Sequence, residues 1–206
     1  MIKITSNNIV QAYLDGFDEL LSDKNIIQND PKIYCEANAL FELFSDEELP
    51  KIQGDSFITD FDYDKYRVNG NQQAVSEFDY YSDYILKNGQ LESIINTLSN
   101  KPHTKQAIIT LPKKNGYKMP CMMYMCLRVT NGFLNGSAHM RANNAYGILL
   151  MNMFINYSIV NHAAQCLSLK RGSYVHVIDS YHIYKREIDE INLLQKEAAH
   201  CGNFHI

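Results

Sequence analysis

Residues 120–141 read PCMMYMCLRVTNGFLNGSAHMR, and this stretch decides the fold class. Two runs rich in apolar residues, Met122–Thr130 and Phe133–Arg141, flank the dipeptide Asn131-Gly132. Asn-Gly between two such runs is the strongest short-range signal for a two-residue β-hairpin turn. The stretch therefore predicts two antiparallel strands, with Pro-Cys at the entry of the first strand and an arginine at the end of the second.

Downstream of the hairpin, the chain carries no charged residue from Ala142 to Leu169. We predict one long apolar helix here, with Asn143 or Asn144 as its N-cap, because asparagine accepts hydrogen bonds from the first N–H groups of a helix. The stretch is long enough to cross a bilayer, but its seven amide and imidazole side chains disfavour a membrane span. A strand over Ser173–Asp179 and an amphipathic helix over 186–199 follow.

Upstream of the hairpin, the pattern is mainly helical. Apolar residues recur at helical spacing over 8–21 and 33–45, and Gln90–Leu98 reads as a third helix. Residues 50–75 are irregular and polar, which is typical of a surface excursion or an active-site lid. Gln106–Leu111 is strand-like. Because strands and helices are mixed without regular alternation, we predict an α+β fold with helices packed on a mixed sheet.

Length and composition restrict the class of protein further. A chain of 206 residues has the length of one domain, and we predict a single catalytic domain over 1–206. A formal net charge of -4 disfavours a long nucleic-acid surface. Five cysteines without a C-x-x-C pair disfavour a disulfide framework or a zinc site, so we expect no metal and a reduced, cytoplasmic protein. The start, MIKITSNN, lacks the features of a signal peptide.

Five residues downstream of Met119 carry the candidate chemistry: Cys121, Arg141, Asn152, His182 and Tyr184. Each has an ordinary explanation when taken alone. A cysteine is usually a small core residue, and an asparagine in an apolar helix is usually a hydrogen-bonded core amide. The ordered set is far more specific than any single member.

In that order and spacing, the set resembles the thymidylate synthase and pyrimidine nucleotide hydroxymethylase family. The family carries Pro-Cys, then an arginine opening a segment that ends in asparagine, and then a D-x-H-x-Y motif. Here the segment is Arg141–Asn152 (RANNAYGILLMN), and the tail is Asp179–Tyr184 (DSYHIY). The resemblance implies a thymidylate synthase-like fold, a sheet-to-sheet homodimer, a pyrimidine nucleoside monophosphate substrate and 5,10-methylenetetrahydrofolate as the one-carbon donor.

The resemblance also implies a role for each of the five residues. The Cys121 thiolate would add to C6 of the pyrimidine ring, since covalent catalysis divides one difficult step into easier ones. Arg141 would bind the phosphate and favour the thiolate, because its planar fork suits phosphate. Asn152 would read the base edge; its carboxamide suits uracil, and a flipped amide also accepts cytosine. His182 and Tyr184 resemble the pair that binds the sugar hydroxyl.

Before residue 120 the resemblance is weaker. Residues 38–44 (NALFELF) look like the family helix that carries an essential glutamate, which makes Glu42 the candidate for moving protons, with Glu36 as the alternative. Tyr80 resembles the tyrosine that helps to remove the C5 proton. Asn144 stands where the family has an aspartate that contacts the folate pterin.

Several departures from the family pattern bear on the reaction. The chain has no tryptophan, and Phe44 and Tyr84 occupy two places where the family has one. A site that admits water favours hydroxymethylation by a small margin over reductive methylation, since hydride transfer requires water to be excluded. Phosphate-binding positions also differ: Lys105 and Gln106 replace two arginines, and Ala142 replaces a serine. The base, the sugar and the product stay open, and so does a relative that binds nucleotide without turnover.

Overall fold

The computed structural model describes residues 1–28, 30–44, 49, 51–54, 56–58, 80–111 and 119–201. Most of the polar stretch 50–75 lies outside the described residues. The strands are β1 (Ile2–Ser6), β2 (Ile33–Leu43), β3 (Lys51–Gln53), β4 (Ser56–Ile58), β5 (Ile108–Thr110), β6 (Met122–Thr130), β7 (Phe133–Met140), β8 (Asn143–Asn144) and β9 (Lys170–Tyr184). The α-helices are α1 (Ile9–Leu20), α2 (Gln90–Asn100), α3 (Leu149–Cys166) and α4 (Ile188–Cys201), with a π-helical turn at Ser82–Leu86.

A mixed sheet is the centre of the fold, as the sequence predicts. Its strands run in the order β1-β2-β9-β7-β6-β5, with β8 also paired to β9. The β1–β2 and β7–β9 pairs are parallel, whereas β2–β9, β6–β7 and β5–β6 are antiparallel. The two central strands, β9 and β7, therefore lie next to each other although α3 separates them in the chain.

The hairpin prediction is confirmed. β6 and β7 pair from Met122↔Met140 to Thr130↔Phe133. Asn131 and Gly132 both have positive φ, 52° and 81°, which is the conformation that a type I′ turn requires. Their sequence thus sets the register of the two strands, and the register brings the start of β6 to the end of β7.

Helices α1 and α3 cover one face of the sheet. Asn8 caps α1 by accepting from the Gln11 N–H at 2.6 Å, and the buried side of the helix includes Tyr13 and Phe17. Helix α3 is buried on nearly all sides and approaches β7 closely: a Cβ at Gly136 would lie 2.4 Å from Val160 Cγ2. Among the described helices, none is both long and apolar enough to cross a membrane.

The prediction of a helix over 33–45 is wrong, because this segment is strand β2. Ala39, Phe41 and Leu43 are fully buried, which is the two-residue period of a strand. Phe44 lies three residues after Phe41 and four after Leu40, which mimics helical spacing. The segment forms a strand and not a helix because it pairs with β1 on one side and with β9 on the other. A central strand is hydrogen-bonded along both edges.

Two further predictions need correction near the long helix. Helix α3 begins at Leu149, and neither Asn143 nor Asn144 caps it, because both residues form β8 and their side chains make tertiary hydrogen bonds. The last strand is longer than predicted: β9 extends to Tyr184, so His182 lies within the strand and not after it.

Candidate active site

Cys121 and Arg141 are held together at the ends of two paired strands. Cys121 directly precedes β6, Arg141 directly follows β7, and the Arg141 N–H donates to the Cys121 carbonyl at 2.9 Å. The Arg141 guanidinium turns back on the segment before the cysteine: Nε donates to the Pro120 carbonyl at 2.9 Å, and Nη2 donates to the Met119 carbonyl at 2.8 Å. Backbone hydrogen bonds thus fix a cation beside the cysteine.

Strand β8 brings the next segment of the chain against β9. Asn143 pairs with Tyr181 and Asn144 pairs with His182, and the Ala145 N–H donates to the His182 carbonyl at 2.8 Å. His182 Nδ1 lies 3.1 Å from the Ser180 carbonyl. The Ser180 hydroxyl lies 3.2 Å from the same nitrogen, so two polar atoms of Ser180 hold the imidazole ring in place.

These segments enclose a cavity of about 690 Å³ at the edge where β6, β7 and β9 meet. The volume is that of a small-molecule site. It brings together five of the predicted site residues: Cys121, Arg141, Asn144, His182 and Tyr184. The remaining wall consists of residues that the sequence analysis did not single out as site residues: Ala142, Tyr146, Gly147, Ile148, Arg186, Glu187 and Glu190.

Glu187 is a buried carboxylate in this wall, with 3% of its surface exposed. Its Oε2 accepts from Asn144 Nδ2 at 2.8 Å and from the Tyr184 N–H at 2.9 Å. The other side of the Asn144 carboxamide, Oδ1, accepts from the Gly147 N–H. A Cβ at position 147 would lie 2.5 Å from that oxygen, so the close approach requires glycine. The asparagine is therefore fully engaged, and the carboxylate of the cavity comes from Glu187.

Arg186 gives the cavity a second cation. Its guanidinium carbon lies 5.0 Å from the centre of the Tyr184 ring, which is cation–π distance, and the side chain is exposed. Tyr184 in turn packs edge-on against His182, with ring centres 4.9 Å apart. The sequence signal was present, because Arg186 and Glu187 lie two and three residues after the end of the His-x-Tyr motif, but only the 3-10 turn at Lys185–Glu187 directs them back to the cavity.

Asn152 lies below the cavity and not in its lining. It sits in the first turn of α3, fully buried, and its N–H donates to the carbonyl of the lining residue Ile148. Its Oδ1 accepts from the Tyr81 hydroxyl at 3.2 Å, and its Nδ2 lies 3.5 Å from Asn143 Oδ1. The neighbouring Tyr80 packs on Tyr84 with ring centres 4.4 Å apart, and it is not among the residues that line the cavity.

The candidate glutamates are separated by the strand that replaces the predicted helix. Glu36 pairs with His182, whereas Glu42 pairs with Val175, seven residues along β9. Seven residues of strand span roughly 23 Å. Because Phe41 and Leu43 are buried against the helices, the Glu42 side chain lies on the opposite face of the sheet. Neither glutamate lines the cavity.

Lys105 and Gln106 also lie away from the cavity. They directly precede Ala107, whose carbonyl accepts from the Leu127 N–H near the far end of β6. Leu127 is six residues from Cys121, which corresponds to roughly 20 Å along a strand. Within one chain these two side chains do not join the other candidate site residues.

Comparisons with known proteins identify the family of the chain. The sequence model of the family described as thymidylate synthase matches residues 63–206. The thymidylate synthase of Clostridium beijerinckii is 29% identical over 118 residues, which cover 55% of this chain and 44% of that protein. The putative bifunctional dihydrofolate reductase-thymidylate synthase of Oryza sativa subsp. japonica is 27% identical over 119 residues, covering 55% and 24%.

A bifunctional dihydrofolate reductase-thymidylate synthase of Zea mays is 28% identical over 116 residues, covering 53% of this chain and 22% of that protein. The chain spans less than half the length of each of these curated relatives. Glu36 and Glu42 precede the matched family region, whereas every residue of the cavity wall lies within it. The family match extends over more than half of the chain, and the chain therefore belongs to the thymidylate synthase family.

Proposed function

We propose that this protein transfers a one-carbon unit from 5,10-methylenetetrahydrofolate to C5 of a pyrimidine nucleoside monophosphate. The observation that carries the proposal is the meeting of Cys121, Arg141 and His182 in one cavity, although they come from three different strand ends. A nucleophile beside a cation, with a hydrogen-bonding wall opposite, is the minimum required to bind and activate an anionic nucleotide.

Cys121 acts first in this scheme. Its thiolate forms a bond to C6 of the ring, and the electron pair of the C5–C6 double bond moves to make C5 nucleophilic. The Arg141 guanidinium, which donates to the carbonyls of the two residues before Cys121, supplies a positive charge to the same cavity. Bound folate supplies the one-carbon unit that C5 accepts. Loss of the C5 proton to a base would release the folate nitrogen from the transferred carbon, water or hydride would then add to that carbon, and expulsion of the Cys121 thiolate would restore the C5–C6 double bond.

Two cations of the cavity wall suit the phosphate. Two of the five N–H groups of Arg141 donate to backbone carbonyls, and no described residue takes the other three. Arg186, held over the Tyr184 ring, is exposed to the same cavity. Together they offset the loss of arginine at Lys105 and Gln106 and of serine at Ala142, since guanidinium groups bind phosphate through paired hydrogen bonds.

Among the residues of the cavity wall, Glu187 is the one that suits a folate ring, because its carboxylate can accept hydrogen bonds. Both of its hydrogen bonds go to Oε2, and its Oε1 makes no hydrogen bond to a described residue. This oxygen is not among the buried polar atoms that lack a partner in the described residues, so it is accessible to a donor in the cavity. The N–H groups of a pterin are such donors, so we assign to the Asn144–Glu187 pair the cofactor contact that the sequence suggests for Asn144.

The product we favour is the hydroxymethyl nucleotide. Water captures the methylene group on C5, and tetrahydrofolate leaves without being oxidised. The supporting observations are the absence of tryptophan from the chain and the polar character of the described wall, which includes Glu187, Glu190 and Arg186. Reductive methylation is the second candidate, because the curated relatives are named thymidylate synthases. It would convert the folate to dihydrofolate.

The homodimer is also part of the proposal. The sheet face opposite α1 and α3 carries half-exposed apolar side chains, with Tyr124 40% and Ile108 41% exposed. A second copy packed on this face would cover them. In such a dimer, Lys105 and Gln106 would reach the nucleotide bound to the partner. Within one chain they do not reach the nucleotide, because roughly 20 Å along β6 separate them from Cys121.

The deciding experiment combines two measurements on the purified protein. C5-tritiated UMP, dUMP, CMP and dCMP are incubated with methylenetetrahydrofolate, and release of tritium reports bond formation at C5. Mass spectrometry of the product then separates a hydroxymethyl from a methyl group. We expect tritium release with a uracil nucleotide, none with the Cys121→Ser variant, and no dihydrofolate. Dihydrofolate formation would select methylation, and absence of tritium release from all four nucleotides would leave nucleotide binding without turnover.

A further inference from the structure

Three hydrogen-bonded side chains from adjacent strands lie on the sheet face opposite α1 and α3. The Tyr124 hydroxyl on β6 lies 3.2 Å from His139 Nδ1 on β7, and His139 Nε2 lies 3.0 Å from Asp179 Oδ1 on β9. The Tyr124 and His139 rings also pack against each other, with their centres 5.4 Å apart. We call these three residues the surface triad. It is separate from the residues that line the cavity of the candidate active site.

The donors and acceptors of the surface triad fit two charge states of His139. An ionised carboxylate only accepts hydrogen bonds, so Nε2 carries a proton in both states. When the ring is neutral, Nδ1 accepts from the Tyr124 hydroxyl; when the ring is charged, Nδ1 donates to the oxygen of that hydroxyl. Both contacts are kept, and protonation changes only the charge. The surface triad therefore carries one net negative charge with a neutral ring and none with a protonated ring.

One row of side chains across the sheet passes through His139. Its partners across the strands are Tyr124 and Val177, Val177 pairs with Leu40 on β2, and Leu40 pairs with Lys3 on β1. The charged or titratable residues two positions further along these strands are Cys126, Arg141, Asp179 and Glu42. Of these, Asp179 contacts the imidazole, whereas the Arg141 guanidinium donates to backbone carbonyls beside the cavity. The charge of the surface triad thus depends on the proton of His139.

The same face carries features that suit a second copy of the chain. Tyr124 is 40% and Ile108 41% exposed, so apolar surface is available for contact. Both signs of charge are also present, with Lys3 on the edge strand β1 and with Glu42 and Asp179 on the inner strands β2 and β9. Such a face fits a second copy of itself better than a partner of one sign, because a two-fold axis can set a cation of one copy against an anion of the other.

We propose that the surface triad is a pH-sensitive contact between two copies of this chain, in which protonation of His139 strengthens the dimer. The inference rests on the proposed function, in which a second copy covers this face. Contact with the second copy takes water away from Asp179. A carboxylate without a counter-charge is more costly to remove from water than one paired with a cation, so dimerisation favours the charged ring.

Linkage between proton binding and dimerisation gives the direction of the effect. A histidine ordinarily changes its charge between about pH 5 and 8, where carboxylates are ionised and phenols are neutral. Because the dimer binds the His139 proton more tightly than the monomer does, the affinity of the dimer rises as the pH falls through this range. In the proposed dimer Lys105 and Gln106 reach the nucleotide of the partner, so a lower pH also favours the complete phosphate site.

Sedimentation velocity of the full chain at pH 8 and pH 6, over a range of concentrations, measures the dimer dissociation constant. We expect the wild-type constant to fall at least about 3-fold between pH 8 and pH 6, since a partly exposed ion pair contributes modestly. His139→Gln keeps a side chain that forms hydrogen bonds but does not titrate, so its constant should change by less than about 1.5-fold. Asp179→Asn should lose the response as well. His162→Gln on α3, which packs on the other face of the sheet, is the matched control and should keep it.

The outcomes separate this inference from the proposed homodimer. A wild type that is monomeric at both pH values overturns the two together. A dissociation constant that is the same at both pH values, or a His139→Gln dimer that keeps the wild-type response, leaves the homodimer standing and shows that the surface triad does not control it. If the dimer is too tight for sedimentation, exchange of subunits between two fluorescently labelled populations replaces that measurement. Exchange should be slower at pH 6 in the wild type, and equal rates at the two pH values contradict the inference.

Discussion

Two regions of the molecule differ in how their sequence relates to their structure. In residues 121–184, the order and spacing of Cys121, Arg141 and His182 correspond to adjacent strand ends, and the three side chains line one cavity. In residues 33–44, a similar resemblance to a helix with a functional glutamate led to the wrong element, because the segment is strand β2. The difference teaches that a motif anchored by an unambiguous turn transfers reliably, whereas apolar spacing alone does not.

The largest expected contrast lies between one cysteine of each region. Burial raises the pKa of the Cys35 thiol on β2 to about 11, so it stays protonated at neutral pH, whereas Cys121 lines the cavity beside Arg141. Cys121→Ser should lower the rate of tritium release on the order of 10⁴-fold or more, because the covalent nucleophile is lost. Cys35→Ser should retain activity within a few-fold, provided that its melting temperature shows a folded protein.

Equal losses of activity in Cys121→Ser and Cys35→Ser would contradict the expected difference between a cysteine in the cavity and a cysteine on β2. A complementary measurement is alkylation followed by mass spectrometry. A saturating pyrimidine nucleotide should protect Cys121 from iodoacetamide and leave the exposed Cys166 reactive. Protection of neither residue would show that the nucleotide does not occupy this cavity.

The second contrast concerns two arginines that make the same kind of backbone contacts. Arg141 donates to the carbonyls of Pro120 and Met119, and Arg128 donates to those of Leu127 and Lys105. Arg141→Gln should weaken nucleotide monophosphate binding roughly 100-fold, since a hydrogen bond to a charged group contributes about 1.5–3 kcal/mol. Arg128→Gln loses the same number of backbone contacts outside the cavity.

Calorimetric titration of both variants with UMP and with uridine provides the measurement. The loss in Arg141→Gln should disappear when the nucleoside without phosphate is titrated. A loss of the same size for uridine would mean that Arg141 acts only by holding the Cys121 segment in place.

The sequence predicts correctly those features that depend on residues close together in the chain. The dipeptide Asn131-Gly132 determines the turn between β6 and β7, and this turn sets where Cys121 and Arg141 meet. The prediction for residues 33–45 failed because strand β2 owes its conformation to partners 30 or more residues earlier and about 140 residues later in the chain, β1 and β9. No local pattern reports such pairing, so tertiary contacts override the apparent helical period.

The same reasoning applies to the residues of the candidate site that the sequence did not reveal. Glu187 reaches the cavity only because a 3-10 turn follows β9, and Asn143 meets His176 only because β8 adds to the sheet. A buried histidine on a strand reads from the sequence as part of an apolar alternation. Its partners become visible only when β8 and β9 are placed side by side.

The third contrast compares the two glutamates of β2. Glu36 lies across from His182, and cross-strand neighbours have Cβ atoms about 5 Å apart, whereas Glu42 pairs with Val175, seven residues along β9. Glu36→Gln should therefore lower kcat/KM roughly 10-fold through the charge beside His182, and Glu42→Gln should stay within about 2-fold. The measurement is tritium release with each isosteric variant. A larger effect at Glu42 would restore the residue that the sequence favoured and would show that proximity to His182 is not what matters.

The smallest contrast is a dependence of stability on pH within the well-predicted region. His176 has a pKa near 6.5 when unfolded and about 3 when folded, because burial disfavours its charged form. Between these values the unfolded chain binds more protons, so stability is fully present above pH 6.5 and is lost as pH falls toward 3. The slope is up to about 1.4 kcal/mol per pH unit. His176→Phe should flatten the dependence by about one proton in urea denaturation at pH 7, 5.5 and 4.5.

His162 on α3 provides the control for that slope. Burial also lowers its pKa, but this side chain is only half-buried, so His162→Gln should change the slope less than His176→Phe. If the two variants change it equally, His176 is protonated as easily as a histidine near the surface. A charged His176 would have no acceptor nitrogen for Asn143, whose Nδ2 lies 2.9 Å from His176 Nε2. The slope therefore reports whether this buried hydrogen bond is kept as the pH falls.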